Sequence, residues 1–339
     1  MPSEPTYLGD GVFLIDTGFQ RAELAAAYLV VGDGRAAFID TGPGRAAEHL
    51  LNALAFAGVA RQAVDYVIPT HVHLDHAGAS GALMAQLPDA RLIVHPRGAP
   101  HLVDPRRLWE GAVAVYGEQA MRDDHGELVP VPAERVQAAE DGERLALGRR
   151  VLEVLHTPGH ARHHLCVYDP YTRGLFTGDT FGLSYPEARP LIFPTTTPVQ
   201  FEPEVWQETL TRMMAMQPAR AYLTHYGVLE EPSAEAADLR RLIDAHAALA
   251  RAVEREADTA AALRAGLRRL LHEEARRRGS ALAGQALEQR YAMDLELNAQ
   301  GLEVWLARRR RAGEAAPSAA REAAVPAGNT GGARRGTTG

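Results

Sequence analysis

Residues with metal-binding side chains crowd into one short stretch of this chain. Within six positions the stretch 67–78 holds His71, His73, Asp75 and His76. An apolar run at 64–68 precedes the stretch, and apolar residues at helical spacing, Leu83 and Leu87, follow it. This change of period predicts a strand, a turn and a helix, so the four side chains should converge from a short loop. Imidazole and carboxylate groups bind zinc, iron and copper, which predicts a transition-metal site on this turn.

Three more candidate ligands follow, each at the end of an apolar run. They are His160 after Val-Leu-Glu-Val-Leu-His-Thr-Pro-Gly, Asp179 after Gly-Leu-Phe-Thr-Gly, and His225 after Ala-Tyr-Leu-Thr. A short motif needs structural context to confirm it, and these strand ends supply that context. The pair His163 and His164 follows His160 closely, and we assign it a supporting or structural role.

Taken in order, the seven residues resemble the ligand set of the metallo-β-lactamase-fold superfamily, over residues 7 to about 230. The stretches Thr-Pro-Gly-His and Phe-Thr-Gly-Asp-Thr look most like its glyoxalase II and thioesterase branch. The resemblance implies an α+β fold, a four-layer αββα sandwich of the metallo-β-lactamase type. By this likeness one metal ion would be held by His71, His73 and His160. The second would be held by Asp75, His76 and His225, with Asp179 bridging the two.

The resemblance also implies the chemistry of the site. It implies two divalent transition-metal ions, zinc first, with iron or manganese as alternatives. Such a pair lowers the pKa of a shared water and polarises a carbonyl, so that no protein nucleophile is needed. We therefore predict a dinuclear hydrolase in which a hydroxide shared by the ions attacks a thioester or ester carbonyl. Acyl-CoA and glutathione-type thioesters come first as substrates. Asp75 is the predicted catalytic residue, which orients the hydroxide or carries a proton to the leaving group.

Two other activities on the same scaffold stay open. Acyl-homoserine lactonases share the ligand set, and they often carry a tyrosine at the position of Gly182, so that Tyr185 would have to substitute here. A mononuclear-iron persulfide dioxygenase uses a related ligand set, although seven matched positions favour two metals. A nuclease is disfavoured by the formal net charge of −7, because affinity for phosphate backbones needs clustered Lys and Arg.

One residue outside the ligand set has a predicted supporting role. Asp40 stands in Asp-Thr-Gly at the end of a predicted strand, and this piece resembles one in which the aspartate supports the metal loop. Such outer partners orient ligating imidazoles and tune their basicity. A plain turn residue is the alternative interpretation of Asp40, and the sequence does not separate the two.

Composition limits the surroundings and the partners. The single cysteine, Cys166, allows no intrachain disulfide and reads as a small buried apolar residue. The first residues lack a secretory pattern and no apolar run reaches the length of a membrane span, so we expect a cytoplasmic protein without membrane attachment. The predicted partner is a small-molecule substrate, with no nucleic acid, and with a homodimer contact through the C-terminal helices as one option.

The chain divides into three predicted parts. Residues 1–232 form the catalytic domain, 233–312 a helical C-terminal region of two or three helices broken near Gly279, and 313–339 a disordered tail poor in large apolar residues. The segment 95–140 is expected to be irregular and to border the substrate pocket. Candidates for substrate contact are Phe181, Tyr185, His95 and Tyr116, each of which could instead be packed or solvated.

Overall fold

The fold was analysed in a computed structural model that describes residues 4–322, without the side chains of Tyr116 and of 313–322. Thirteen strands are found within these residues. They are β1 (Thr6–Gly9), β2 (Val12–Asp16), β3 (Ala26–Gly32), β4 (Arg35–Ile39), β5 (Val64–Ile68), β6 (Arg91–Val94), β7 (Val136–Ala138), β8 (Arg144–Leu147), β9 (Arg150–His156), β10 (Leu165–Asp169), β11 (Gly174–Gly178), β12 (Arg220–Leu223) and β13 (Gly227–Glu230).

The α-helices fall into two groups, one set among the strands and one after them. The first are α1 (Ala47–Phe56), α2 (Leu74–Ala77), α3 (Ser80–Met84), α4 (Ala99–Val103), α5 (Arg106–Tyr116), α6 (Glu118–Ala120) and α7 (Pro203–Ala215). The second are α8 (Ser233–Val253), α9 (Thr259–Arg278), α10 (Gly284–Arg290) and α11 (Ala292–Glu322). No helix within residues 4–322 is both long enough and apolar enough to cross a bilayer.

The strands form two mixed sheets whose order follows the chain. The first runs β1 to β7 in sequence, and the second runs β13-β12-β11-β10-β9-β8. The parallel pairs β4–β5 and β11–β12 bring the ends of their strands to the same edge of each sheet. Loops that leave this edge can therefore place their side chains close together, as the sequence predicted for the metal ligands.

A tight hairpin connects β3 and β4. Asp33 and Gly34 are the two turn residues, and both have positive φ values, 50° and 76°. A two-residue turn of this kind matches the twist of the flanking strands, and glycine adopts positive φ at little cost. The hairpin delivers Asp40, which follows β4 directly, to the edge where the ligand loops begin.

Successive side chains of the central strands point to opposite faces of the sheet and belong to two separate apolar cores. Tyr28 and Val30 of β3 belong to the core between the two sheets, where the Tyr28 ring packs on Phe176 of the second sheet at 5.3 Å. Leu29, between them in sequence, faces the other core, which α1 and α3 cover. A period of two along a strand produces this division. The arrangement is an α+β sandwich with helices outside both sheets, as predicted.

The C-terminal helices share the inter-sheet core and do not build one of their own. Leu287, Leu295 and Leu302 are fully or almost fully buried in the same apolar cluster as Phe193 and Trp206. Burial of this kind gives the largest favourable contribution to folding, about 25 cal/mol per Å² of apolar surface. The helical region is therefore packed as a continuation of the sandwich.

Three predictions about local structure were incomplete. The segment 95–140 is not irregular, because helices α4, α5 and α6 occupy much of it, and their short or weakly apolar sequences hide the helical period. The C-terminal region contains four helices, because breaks at 254–258 and at Tyr291 add to the predicted one near Gly279. Gly279 itself has φ 66° and ends α9 in the left-handed conformation that glycine favours. Helix α11 continues past 312 to Glu322, and the rest of the predicted tail, 323–339, lies outside the described residues.

Candidate metal centre

The seven predicted ligands come together at the edge of the two sheets. His71, His73, Asp75 and His76 lie on the turn between β5 and α2 and in α2 itself. The other three follow strands of the second sheet, at His160 after β9, Asp179 after β11 and His225 after β12. Their donor atoms form two groups, and within each group all atoms lie within 4.8 Å of one another. The structure therefore brings all seven predicted ligands together.

The first group consists of three imidazoles and one carboxylate. His73 Nδ1 lies 2.8 Å from His71 Nε2 and 3.2 Å from His160 Nε2. His160 Nε2 in turn lies 3.4 Å from Asp179 Oδ2. Three imidazole nitrogens facing a common point with a carboxylate beside them match the donor set of a zinc or iron site.

The second group uses the other oxygen of the same aspartate. Asp179 Oδ1 lies 3.1 Å from His76 Nε2 and 3.5 Å from His225 Nε2. Asp75 Oδ2 lies 3.3 Å from His225 Nε2 and 3.6 Å from His76 Nε2. Asp179 thus directs one carboxylate oxygen to each group, which is the geometry that a bridging ligand needs.

Hydrogen bonds on the far side of the rings set which nitrogen is free. Nδ1 of His225 donates to the carbonyl of Leu24 at 2.7 Å, and Nδ1 of His160 donates to the carbonyl of Thr195 at 2.8 Å. Nδ1 of His76 donates to the Asp40 carboxylate at 2.9 Å. A proton fixed on Nδ1 leaves the Nε2 lone pair available, and in all three rings Nε2 faces the donor groups.

Asp40 has the supporting role that its resemblance implied. Its buried carboxylate accepts from the backbone and the hydroxyl of Thr70, at 2.7 and 2.9 Å, directly before His71. It also accepts from His76 and, at 2.7 Å, from the hydroxyl of Thr224, directly before His225. One carboxylate therefore holds the two ligand turns together, and the alternative of a plain turn residue is wrong.

Two buried atoms of the centre lack hydrogen-bond partners, and both are electron-pair donors. Within residues 4–322, His76 Nε2 and Asp179 Oδ1 make no hydrogen bond, although they lie 3.1 Å apart. Burial lowers the pKa of His76, but the charges of Asp179, Asp75 and Asp40 outweigh burial and raise it well above its usual value. Burial also lowers the pKa of His225, while Asp179 and Asp75 raise it to about 9. The site thus attracts positive charge, and a divalent cation fits it.

The first group attracts metal in a different way. Burial, and then the neighbouring imidazoles, lower the pKa of His71 well below its usual value. Burial and His160 lower the pKa of His73 to about 3. Both rings are therefore neutral at pH 7, and a neutral imidazole is the form that binds a metal ion.

One side of the centre is open and leads into a pocket. His73 and Asp75 are partly exposed, while the other five ligands are buried. A cavity of about 240 Å³ begins at His73, between the metal turn, α5 and the loop before α7. Its apolar wall consists of Val72, Leu74, Leu108, Ala112, Val115, Pro198 and Val199. Its polar lining consists of His101, Arg107, His163, Thr197 and Gln200.

Three of the four predicted substrate contacts do not line this pocket. Phe181 is fully buried in the core. Tyr185 is also buried, and its hydroxyl donates to the Asp294 carboxylate at 3.1 Å. His95 packs on His156, with ring centroids 4.2 Å apart, and lines a separate cavity. The side chain of Tyr116 lies outside the described part of the chain.

Further histidines support the ligands, as predicted. His164 Nε2 accepts from the backbone of Asp179 at 3.2 Å, and its Nδ1 lies 2.7 Å from the Thr157 hydroxyl. His163 stacks on His71 at 6.1 Å and borders the pocket. Thr195 was missed by the sequence analysis. Its hydroxyl lies 2.7 Å from His160 Nδ1 and donates to Asp179 Oδ2 at 3.3 Å.

The fold and the two-group centre define a metallo-hydrolase scaffold, and comparison with known proteins identifies the family. A model of the metallo-beta-lactamase superfamily matches residues 21–225. This range begins before β3 and contains all seven ligands. The chain belongs to the metallo-beta-lactamase superfamily.

Three relatives show where the chain stands within the family. It is 29% identical over 212 residues to the metallo-beta-lactamase fold-containing protein ST1585 of Sulfurisphaera tokodaii, covering 61% of this chain and 74% of that protein. The crystal structure of ST1585 superposes with a TM-score of 0.59 and 23% identity, covering 87% of this chain and 99% of ST1585. Human acyl-coenzyme A thioesterase MBLAC2 is 31% identical over 194 residues, which is 51% of this chain and 64% of that enzyme. A hydroxyacylglutathione hydrolase of Thermosynechococcus vestitus is 32% identical over 133 residues, 39% of this chain and 40% of that enzyme.

Proposed function

We propose that the protein hydrolyses acyl thioesters, with acyl-CoA type substrates first and hydroxyacylglutathione type substrates second. The observation that carries the proposal is the apolar pocket that begins at the partly exposed ligand His73. A carbonyl placed at the open side of the donor groups would have its acyl chain directed into this pocket. The thioesterase and the hydroxyacylglutathione hydrolase among the relatives support the choice of a thioester.

The donor groups would hold two divalent ions, with Asp179 between them. One ion would be held by His71, His73 and His160, and the other by Asp75, His76 and His225. Ions bound there would polarise a carbonyl oxygen and lower the pKa of a water molecule. The residues around them keep the ligands in place and keep water out of all but one side of the centre, because only His73 and Asp75 are partly exposed.

Asp75 is placed to move the proton. Burial raises the pKa of its carboxyl, but His76 and His225 outweigh burial and hold the pKa below its usual value, so the group is ionised at neutral pH. The carboxylate lies on the open side, where it can take a proton from the attacking water. As the oxygen adds to the carbonyl carbon, the C–S bond breaks and sulfur leaves with the electron pair. The proton on Asp75 then passes to sulfur or to solvent.

The leaving group explains why a thioester suits this site. A thiol has a pKa near 8.5, so its thiolate leaves without a strong acid beside it. An alkoxide or amine leaving group needs a proton at the moment of bond cleavage, and general acid catalysis is then worth roughly 10²–10⁴ in rate. Of the two carboxylates in the donor groups, Asp75 is the partly exposed one, and it must first act as the base.

The pocket gives the acyl group its binding energy. Val115 and Val199 are 41% and 54% exposed, and both line the cavity. Apolar side chains left open to water beside a catalytic centre are typical of a ligand-binding wall. Each methylene buried there is worth roughly 0.8 kcal/mol, so the rate at low substrate concentration should rise with chain length until the pocket is full.

The lactonase alternative loses its main support. It requires a tyrosine hydroxyl beside the metals, and Tyr185 was the residue that could supply it. The Tyr185 ring is fully buried and its hydroxyl is bound to Asp294. A lactone is therefore a comparison substrate in the experiment and not a second proposal.

The test is a substrate panel assayed with metal-loaded protein. Acyl-CoA thioesters of increasing chain length, a hydroxyacylglutathione and an acyl-homoserine lactone are compared through kcat/KM. Thiol release is followed by absorbance for the thioesters, and release of acid by a pH indicator for the lactone. We expect the acyl-CoA series to be fastest, and we expect its rates to rise with chain length. Lactone hydrolysis faster than every thioester would refute the proposal, and so would thioester hydrolysis that survives chelation of the metals.

A matched pair of valine variants tests the pocket itself. Val115→Asp places a carboxylate in the apolar wall, which should lower kcat/KM for the longer acyl chains about tenfold, since burying an uncompensated polar group costs on the order of 1–3 kcal/mol. Val129→Asp is the control, because Val129 is similarly exposed, at 39%, and is not part of this wall. Equal effects of the two variants on all chain lengths would place the acyl chain elsewhere.

A further inference from the structure

The loop before α7 carries the residue that connects two ligands of the centre. The Thr195 carbonyl accepts from His160 Nδ1 at 2.8 Å, and its hydroxyl donates to Asp179 Oδ2 at 3.3 Å. Thr195 is 5% exposed, so water does not replace these contacts. The orientation of one imidazole and of the bridging carboxylate therefore depends on where the backbone of this loop lies.

Helix α11 fixes that backbone on both sides of Thr195. Asn298 Nδ2 donates to the carbonyl of Pro194 at 2.9 Å, and Asn298 Oδ1 accepts from the backbone of Thr196 at 2.6 Å. The Thr196 hydroxyl adds a third bond, to the backbone carbonyl of Asn298 at 3.1 Å. A single carboxamide thus satisfies one buried acceptor and one buried donor of the loop, and Thr195 is held between them.

At one position of α11 the helix backbone lies so close to the loop that only a glycine fits. A Cβ added to Gly301, one turn after Asn298, would lie 1.5 Å from the carbonyl oxygen of Thr196. Glycine at this point lets the helix backbone approach the loop backbone directly. Glycine costs about 1 kcal/mol in a helix interior relative to alanine, so its presence in α11 requires a compensating contact, and the Thr196 contact provides it.

The position of Asn298 in its helix is unusual for a polar residue. The buried face of α11 is formed by Leu295, Ala299, Leu302 and Leu306, and Asn298 lies within this face at 1% exposure. A buried amide whose partners are missing costs about 1–3 kcal/mol. Both hydrogen bonds of the Asn298 amide are made with the loop, at Pro194 and at Thr196, so the loop provides the partners that a buried amide needs.

We propose that Asn298 is a positioning residue of the metal centre, which acts through Thr195 on His160 and Asp179. The C-terminal helix is then part of the machinery that holds the metal, although none of the seven ligands lies in it. The proposal does not depend on the substrate, and a failure of the thioesterase assignment leaves it intact.

The consequence concerns metal affinity more than folding. Removal of an outer partner of a metal ligand typically lowers affinity about 10–100-fold. We expect Asn298→Leu, which keeps the size of the side chain and removes its hydrogen bonds, to lower zinc affinity about tenfold. Thr195→Val, which removes the hydroxyl and keeps the carbonyl, should have a similar effect.

The experiment measures metal binding by the full-length protein with a competing chelator, together with the absorption spectrum of the cobalt-substituted form. Asn298→Leu, Thr195→Val and the variant with both changes form a double-mutant cycle with the unmodified protein. If the two residues act along one path, the double variant should lose little more affinity than the larger single loss. In Asn298→Leu the cobalt spectrum should change, because the ring of His160 is no longer held.

Two further variants separate positioning from general destabilisation. Leu267→Ala removes a fully buried side chain of α9 and should lower the melting temperature without changing metal affinity. Asn298→Asp keeps the acceptor for Thr196 but turns an oxygen towards the carbonyl of Pro194, so it should also weaken metal binding. If Asn298→Leu binds zinc and cobalt as the unmodified protein does, or if Leu267→Ala weakens binding equally, the proposal is wrong.

Discussion

Replacement of Asp40 by asparagine tests how the two ligand turns are held. The carboxylate accepts four hydrogen bonds, two from Thr70, one from His76 and one from Thr224. Asparagine keeps the shape of the side chain. It also tolerates the positive φ of 58° at this position better than most residues do. The backbone should therefore stay in place, and the variant changes only charge and hydrogen bonding.

The expected loss of folding stability follows from the number of hydrogen bonds that the variant loses. The single amide oxygen can face Thr70 or the pair of His76 and Thr224, so two bonds to a charged acceptor are lost. Bonds to charged groups are worth roughly 1.5–3 kcal/mol each, which gives a loss of about 3–6 kcal/mol. His76 can recover about 1 kcal/mol of this if its proton moves to Nε2 and Nδ1 accepts a hydrogen bond from the new amide. The expected net loss is then about 2–5 kcal/mol.

The hydrogen bond that the new amide donates to His76 Nδ1 opposes metal binding. A proton on His76 Nε2 can donate to Asp179 Oδ1, which lies 3.1 Å away, so the protein stabilises the tautomer that cannot bind a metal. Affinity at the second group should fall about 10–100-fold, the range usual for loss of an outer partner. Binding at the first group, where His71 keeps its own contact to Thr70 at 3.1 Å, should change less.

Two measurements on the same samples check the argument. Urea unfolding of metal-free protein gives the stability change, and chelator competition gives the two affinities. Thr224→Val is the matched control, because it removes one donor to the charged Asp40 without affecting the tautomer of His76, and should cost roughly 1.5–3 kcal/mol with little change in affinity. If Asp40→Asn binds two ions with unchanged affinity, the tautomer argument is refuted.

Four shorter predictions concern the chemistry of the centre. Asp179→Asn should sharply lower the affinity for both ions, because its two oxygens face both groups, and elemental analysis of purified protein checks this. Asp75→Asn should retain more metal than Asp179→Asn and slow turnover roughly 10²–10⁴-fold at matched metal content. Cys166→Ala should leave kcat unchanged, because burial raises the pKa of the thiol to about 12 and keeps it protonated. The contribution of His225 to the stability of metal-free protein should be full near the unfolded pKa of histidine, roughly 6.5, and should fall as pH rises towards 9. The reason is that the pKa of His225 is raised to about 9 in the folded state, and urea unfolding across this pH range measures it.

The clustering of the seven candidate ligands was predictable because their signal is local. His71 to His76 stand together, and each of the other three ligands follows an apolar run that ends at the sheet edge. The chemistry of imidazole and carboxylate narrows the interpretation to a metal site before any fold is known. Gly279 was predictable for the same reason, since a glycine at the end of a helical pattern is a local stop signal.

The supporting contacts were not predictable from single residues. Thr224 donates to Asp40 across 184 positions of sequence, and Asn298 contacts Thr196 across 102. Serine, threonine and asparagine are common on surfaces, so their types alone do not show that a metal ligand depends on them. One signal was present for Asn298, namely a polar residue within the apolar face that Leu295 and Leu302 define. An amide in such a face must find buried partners, and the sequence does not say which.

The segment 194–200 joins the metal centre and the pocket into one unit. Thr195 holds two ligands, while Pro198 and Val199 form part of the apolar wall. Helix α11 holds both ends of the segment, through Asn298 and through Arg308, which donates to the carbonyl of Val199 at 3.0 Å. Because so short a segment cannot move its pocket wall without also moving Thr195, the position of the ligands and the shape of the pocket are set together. Metal loading should therefore stabilise the pocket wall as well as the ligands.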